Sequence, residues 1–196
     1  MRAVVFDLDG VLRHPVDPTA VTSIEDRWGL AAGVIEECAR SEGLLEDLIL
    51  GNLSRAGWIQ RVGEMIGSHG AADEWAGLPL HLDTATADIA AGLHDTGVLT
   101  AVLTNGTDTV REEIEALGVG SSFDAIFNSA ELGIRKPEPR IYEHVLEHLG
   151  VAPDEAMMID DSRSKLEGAA VIGMRIHWFQ GAEELAEELC VLGLRD

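Results

Sequence analysis

Asp7 and Asp9 stand one residue apart in "VVFDLDGVL" (4–12), at the end of a run of strand-forming apolar residues. In an extended strand the side chains at i and i+2 share a side, so the two carboxylates would face one site. Like charges that close repel, so a cation, a substrate or a structural restraint must hold them. Gly10 follows and lets the backbone turn sharply past the pair. Further along, "LTNG" (103–106) offers the Thr104 hydroxyl and the Asn105 side chain before a helix N-terminus, which favours anions. "IRKPEP" (134–139) offers Lys136 ahead of a proline placed to open a helix, and "IDDS" (159–162) adds Asp160 and Asp161. Four carboxylates and one lysine cannot share a crevice unaided. A hard divalent cation with oxygen ligands resolves the charge, and Mg²⁺ suits a site that also holds phosphate. Mg²⁺ with anion donors calls for phosphoryl transfer, in which an aspartate can be the nucleophile and form an aspartyl-phosphate that water hydrolyses.

Those residues can meet only if the elements carrying them end together. "AVVFDL" (3–8), "VLTAVLTN" (98–105), "DAIFNS" (124–129), "AMMIDD" (156–161) and "MRIHWF" (174–179) read as strands whose continuous hydrophobicity suits burial on both faces of a parallel sheet. Between them Val110, Ile114 and Leu117 form one helical stripe and Ile141, Val145 and Leu149 another. Gly118, Gly150 and Gly173 follow where helices end. Strand alternating with helix predicts a Rossmann-like α/β fold, about five parallel strands between two helical layers, with ligands at the carboxyl ends of the strands. One connection breaks the rhythm. About 85 residues separate the first strand from the next with no convincing strand between them, far more than a crossover helix needs. "AVTSIEDRW", "AAGVIEECARSE", "GLLEDLIL" and "SRAGWIQRVGEMIG" are helical in character, and "TADIAAGLHDTG" (86–97) reads as the crossover itself. Residues 15–80 are therefore expected to form a small all-helical insertion over the end of strand one, leaving 1–14 and 81–196 as the α/β body.

Composition narrows the partners. The chain has 35 acidic and 14 basic side chains, a net charge of −21, which argues against nucleic acid or an anionic membrane. Most of that charge is expected to serve solubility, as where Glu183, Glu184, Glu187 and Glu188 alternate with Leu185, Leu189 and Leu192 at helical spacing. Cys38 and Cys190 form neither CxxC nor zinc spacing and read as buried free thiols of a reducing compartment. Asp7 and Asp9 interrupt the first apolar run, so it is not a signal peptide, and no stretch approaches about 18 apolar residues. A cytoplasmic protein is expected, as monomer or homodimer.

The chain resembles the haloacid dehalogenase superfamily of phosphohydrolases, whose four motifs occur in order. "DLDGV" matches the first, Thr104 of "LTNG" the second, Lys136 of "RKPEPRIY" the third and "IDDS" the fourth. Over "ELGIRKPEPRIYEHVLEHLG" and "IDDSRSKLEGAAVIGM" it is similar to the phosphatase domain of soluble epoxide hydrolases and to bacterial sugar-phosphate phosphatases. The resemblance implies that Asp7 attacks phosphorus. Asp9 would protonate the leaving oxygen and later deprotonate water, while Thr104 and the Asn105 N–H hold the phosphoryl group and Lys136 neutralises charge. Mg²⁺ would take Asp7, the Asp9 carbonyl and Asp161, with Asp160 direct or through water. The insertion would be a cap over a small phosphorylated metabolite. Related sequences often carry Asn or Asp four residues after Asp161, where this chain has Lys165, which would either alter the metal's surroundings or turn to solvent. Arg13 and His14 follow the first motif, face the cap and are candidate substrate contacts. Trp28, Trp58 and Trp75 are expected in the cap's core, with Trp58 the one that could line a pocket, and the seven histidines as surface or packing residues.

Other functions fit less well. A signalling receiver domain also combines aspartates, Mg²⁺, Thr and Lys, but there the lysine follows the acidic residues on the last strand. A catalytically silent binding protein would not need every catalytic residue type, and a dehalogenase would need neither the Asp9 acid nor the Mg²⁺ cluster. A phosphomutase would use the same residues.

Overall fold

In the computed structural model, which describes residues 1–194, the chain opens with β1 (Ala3–Phe6) and a short strand β2 (Arg13–Pro15). Five helices follow, α1 (Ala20–Trp28), α2 (Val34–Ala39), α3 (Leu44–Ile49), α4 (Arg55–Ile66) and α5 (His69–Ala76), and β3 (Leu80–Leu82) leads back. The body then runs α6 (Thr84–Asp95), β4 (Leu99–Thr104), α7 (Val110–Leu117), β5 (Ala125–Asn128), α8 (Ser129–Leu132) and α9 (Pro139–Leu149). It closes with β6 (Ala156–Asp160), α10 (Arg163–Val171), β7 (Arg175–Trp178) and α11 (Ala182–Val191).

Five strands pair in parallel in the order β5-β4-β1-β6-β7, so the body is the expected α/β sheet. All of β1 is buried, and its residues alternate between the two faces. Val4 and Phe6 join Val102, Met157 and Ile159 against α6, α7 and α11. Ala3 and Val5 join Ala101, Leu103 and Met158 against α9 and α10. Coverage of both faces is why these strands read as unbroken apolar runs. The edge strand β7 departs from that pattern, with Arg175, Ile176 and Trp178 exposed. Gly118 and Gly150 close α7 and α9 with φ of 74° and 64°. Pro139, not Pro137, opens α9: Pro137 lies in the preceding turn.

The connection after β1 contains strands after all. β2 and β3 form an antiparallel ribbon, with Arg13 opposite Leu82 and His14 opposite His81. At three residues each, one of them Pro15, they are too short to show an alternating pattern. The ribbon joins the two passages between the body and the helices α1–α5. Those helices gather a separate apolar cluster of Ile24, Ile35, Ala39, Val62, Ala71 and Ala72, with Trp58 and Trp75 packed on it at 5.0 Å between ring centroids. Trp28 lies outside this core, 46% exposed, with its indole N–H donating to Glu74. A Cβ on Gly70 would approach Cη2 of the Trp28 ring to 2.4 Å, so the six-membered edge of the indole presses on α5 at this glycine. Both cysteines are free, Cys38 half-buried and Cys190 exposed on the outer side of α11 rather than buried. No helix among the described residues is long and apolar enough to cross a membrane.

Candidate active site

β1 stops at Phe6, so both aspartates of the first motif lie past the strand, in the turn that follows it. Strand alternation therefore does not orient them. Asp7 still donates its N–H to Ile159 O at 2.8 Å, which fixes it at the carboxyl edge of the sheet. Its carboxyl is 1% exposed. Oδ1 accepts from Lys136 Nζ at 2.9 Å and from the Leu8 N–H at 2.7 Å, and Oδ2 accepts from Lys165 Nζ at 3.2 Å. Asp160, the last residue of neighbouring β6, takes the same Lys136 Nζ at 2.6 Å and the Ser162 N–H at 2.8 Å.

Burial raises the pKa of Asp7, but the charges of Lys136 and Lys165 outweigh it and hold the carboxyl below its ordinary value. Asp160 goes the other way. Burial and the charge of Asp7 push it up to about 6 against the pull of the two lysines. A buried ionic cluster of this kind contributes little net stability, because desolvation offsets the Coulomb attraction. Its persistence is better explained by chemistry, with one carboxylate kept ionised and desolvated.

The supports of Lys136 were invisible in sequence. Asn105 clamps the main chain of that residue: its Oδ1 accepts from Lys136 N at 2.8 Å and its Nδ2 donates to Lys136 O at 2.9 Å. α10 presses on the same turn, where a Cβ on Gly168 would lie 1.9 Å from Pro137 O. Thr104, the last residue of β4, is buried at the same edge of the sheet. The helix expected directly after Asn105 begins only at Val110, behind a loop tied down by Asn128 Nδ2 to Thr107 O at 2.6 Å.

Asp9 takes a different path. Its side chain is 55% exposed and is gripped by Arg13, Nε to Oδ1 at 2.7 Å and Nη2 to Oδ2 at 3.2 Å. Arg13 Nη1 donates to Glu113 of α7 at 2.6 Å, and Glu113 also accepts from Thr109 Oγ1 at 2.5 Å. Burial lowers the pKa of Arg13, but Asp9 and Glu113 more than offset it and hold the guanidinium firmly charged. From the helical insertion, Arg55 reaches the same carboxylate, Nε to Glu113 Oε1 at 3.9 Å, and its own N–H donates to Asp108 of the body at 2.8 Å. Asp9, Arg13, Arg55 and Glu113 line a cavity of about 470 Å³ together with the apolar Leu78, Leu80, Ala116 and Leu117. Asp9, Arg13 and Asn105 border it, whereas His14 points to Asp83 at 3.4 Å and Trp58 packs in the insertion's core, its indole N–H on Ala39 O.

Asp7, Asp160 and Asp161 each offer an oxygen within 4.8 Å of the others, a donor set that suits a hard divalent ion. Gly10 makes room for it: at φ 85° its missing Cβ would stand 2.3 Å from Asp161 Oδ2. Trp178 secures the Asp161 main chain, its indole N–H donating to Asp161 O at 2.9 Å while Arg163 stacks 3.8 Å over its ring. Asp9 stands outside this carboxylate group, so its share in metal binding would fall to its main-chain carbonyl.

Residues 1–173 match the family of haloacid dehalogenase-like hydrolases. The chain belongs to that family. It is 40% identical over 84 residues to phosphoserine phosphatase of Thermus thermophilus, covering 42% of this chain and 34% of that protein. It is 27% identical to bifunctional epoxide hydrolase 2 of Rattus norvegicus, covering 89% of this chain and 35% of that one. The chain spans about a third of the length of these curated relatives. A haloacid dehalogenase family enzyme of Bacteroides thetaiotaomicron, solved with magnesium and inorganic phosphate, shares the fold with a TM-score of 0.74 at 23% identity over 90% of this chain and 93% of that one.

In this family member, Asp7, Lys136, Asp160 and Asp161 are brought together, with Asn105 behind Lys136, while Asp9 and Arg13 form a second group at the cavity. Sequence reasoning missed Glu113, Arg55, Asp108 and Trp178. Glu113 reads as one more solvated acid on α7, and Ser54, which caps α4 by accepting from the Gly57 N–H, marks only where the helix carrying Arg55 begins.

Proposed function

We propose that this hydrolase cleaves small phosphate monoesters with Mg²⁺ through an aspartyl-phosphate on Asp7. The observation that carries the reading is the state of Asp7, a buried carboxylate kept ionised by two lysines at the mouth of the strand crevice. Asp7 oxygen would attack phosphorus as the bond to the leaving oxygen breaks, and Asp9 would give that oxygen its proton. Water would then attack the phosphorus of the aspartyl-phosphate, with Asp9 taking the proton and Asp7 released as carboxylate. Thr104 Oγ1 and the Asn105 N–H would hold the phosphoryl oxygens, and Lys136 would balance charge on Asp7 as it is phosphorylated. Mg²⁺ held by Asp7, Asp161, the Asp9 carbonyl and Asp160 would neutralise the carboxylates and the incoming phosphate.

The leaving group would occupy the cavity beside Asp9, where Arg13 and Arg55 pair with Asp9 and Glu113 and where Leu78, Leu80 and Leu117 supply apolar lining. Residues 15–80 would act as the cap, excluding water when Arg55 and Asp108 bring it onto the body. The magnesium and phosphate in the Bacteroides neighbour and the phosphatase name of the Thermus relative support the same reading. A panel of phosphate monoesters tests it. Phosphate release that needs Mg²⁺ and stops in excess EDTA is expected, and full activity in EDTA would refute the metal dependence.

A further inference from the structure

Lys136 and Lys165 both bind Asp7, but they are not equivalent. Lys136 Nζ is 0% exposed, shared between Asp7 and Asp160, and its main chain is clamped by Asn105. Lys165 enters from the first turn of α10 with its side chain 30% exposed, at 3.2 Å from Asp7 Oδ2 and 3.9 Å from Asp160 Oδ1. Asp7 Oδ1 already accepts two donors, so Oδ2 is the oxygen on which a further cation must bind, and Lys165 is on it. Counting charges, Asp7, Asp160 and Asp161 with two lysines sum to minus one, against minus two with Lys136 alone. Each added positive charge at these separations opposes a divalent ion.

We infer that Lys165 is a built-in counter-cation of the carboxylate cluster, which occupies Asp7 Oδ2 in the metal-free protein and withdraws toward solvent when Mg²⁺ enters, so that this lysine sets the affinity of the metal site. The inference rests on the Mg²⁺ reading above. Burial disfavours the charge on Lys165, yet Asp7 and Asp160 more than compensate and keep it protonated, as a counter-cation must be. Its anchor is its main chain, whose carbonyl accepts from Tyr142 Oη, so replacing the side chain leaves the start of α10 held. The long flexible stem gives the ammonium a path outward that Lys136 lacks.

Calorimetric titration with Mg²⁺ alone, without substrate, tests this on wild type, Lys165→Met and Lys165→Arg. Lys165→Met is expected to bind Mg²⁺ at least about tenfold more tightly, from the removed Coulomb opposition. Its metal-free Tm should fall while its Mg²⁺-induced rise in Tm grows. Lys165→Arg keeps the charge and should bind like wild type. In wild type, acetylation of Lys165 followed by peptide mass spectrometry should quicken once Mg²⁺ saturates, a readout that needs no variant. An unchanged or weaker Kd in Lys165→Met, tight binding by Lys165→Arg, or acetylation indifferent to Mg²⁺ would each overturn the role of Lys165 while leaving the metal site standing. Failure of every protein to bind Mg²⁺ would instead remove the metal reading itself, and the inference with it.

Discussion

The two aspartates of the first motif lie one residue apart and occupy opposite environments. Asp7 is dry, 1% exposed and held by two lysines, whereas Asp9 is 55% exposed at a cavity and held by one arginine. A nucleophile has to stay ionised and shed water before it attacks. A group that trades protons with a leaving oxygen and with water has to stay reachable from the cavity. The turn that begins at Asp7 separates the two requirements within three residues, because Asp7 is still hydrogen-bonded to β6 while Asp9 has left the sheet. Under the proposed function, identical side chains would take different roles because burial and partner differ.

The sharpest way to break that contrast is Asp7→Asn, which should lower turnover by at least about four orders of magnitude while the far-UV circular dichroism stays native. A folded variant with near-normal phosphate release would move the nucleophile elsewhere. Asp9→Asn should separate leaving groups. Single-turnover formation of the aspartyl-phosphate should slow about a hundred- to ten-thousand-fold with an alkyl ester and far less with p-nitrophenyl phosphate, which leaves without a proton. Equal losses on the two esters would make Asp9 a metal or structural residue.

Smaller effects probe the joints of each group. Gly10→Ala forces a Cβ against Asp161 at φ 85°, so Mg²⁺ binding should weaken by about tenfold, read by calorimetry. Glu113→Gln tests the Asp9 side. Burial raises the pKa of Glu113, but Thr109 and Arg13 outweigh it and the folded value lies below the ordinary 4.5. A lowered folded pKa gives stability that is present above the unfolded value and is lost as pH falls through the folded one. Glu113→Gln should therefore cost about 1 kcal/mol near neutral pH, with the gap to wild type closing as the solution is acidified below 4.5. Urea melts across that range provide the check.

The α/β body was legible because each internal strand is covered on both faces, which leaves a signal no polar alternation can blur. The residues at the strand ends were legible by type and order, and Asp7, Lys136, Asp160 and Asp161 do converge. Their supports were not. Asn105 looks like a loop residue suited to an anion until its side chain is seen closing both main-chain hydrogen bonds of Lys136, 31 positions away. Lys165 could have turned either way, and its ammonium turns inward because the carboxylates of two strands lie within its reach. The β2–β3 ribbon pairs segments separated by the whole insertion, and three-residue strands carry no pattern of their own. Trp28 and Cys190 read as core from local apolar neighbours, but which helix face turns inward depends on what packs there.

By itself, the sequence determined the strand–helix alternation, the all-helical character of the segment after strand one and the inventory of reactive groups. Those properties depend on local periodicity and on chemical type, both of which are written residue by residue. Only the tertiary structure decided that Asp7 is desolvated and Asp9 is not, that Lys165 lies on Asp7 Oδ2, and that Arg13, Glu113 and Arg55 join the insertion to the body. Each of those facts is set by distances between segments far apart in the chain, and in water-excluded surroundings a few ångströms fix which charge wins.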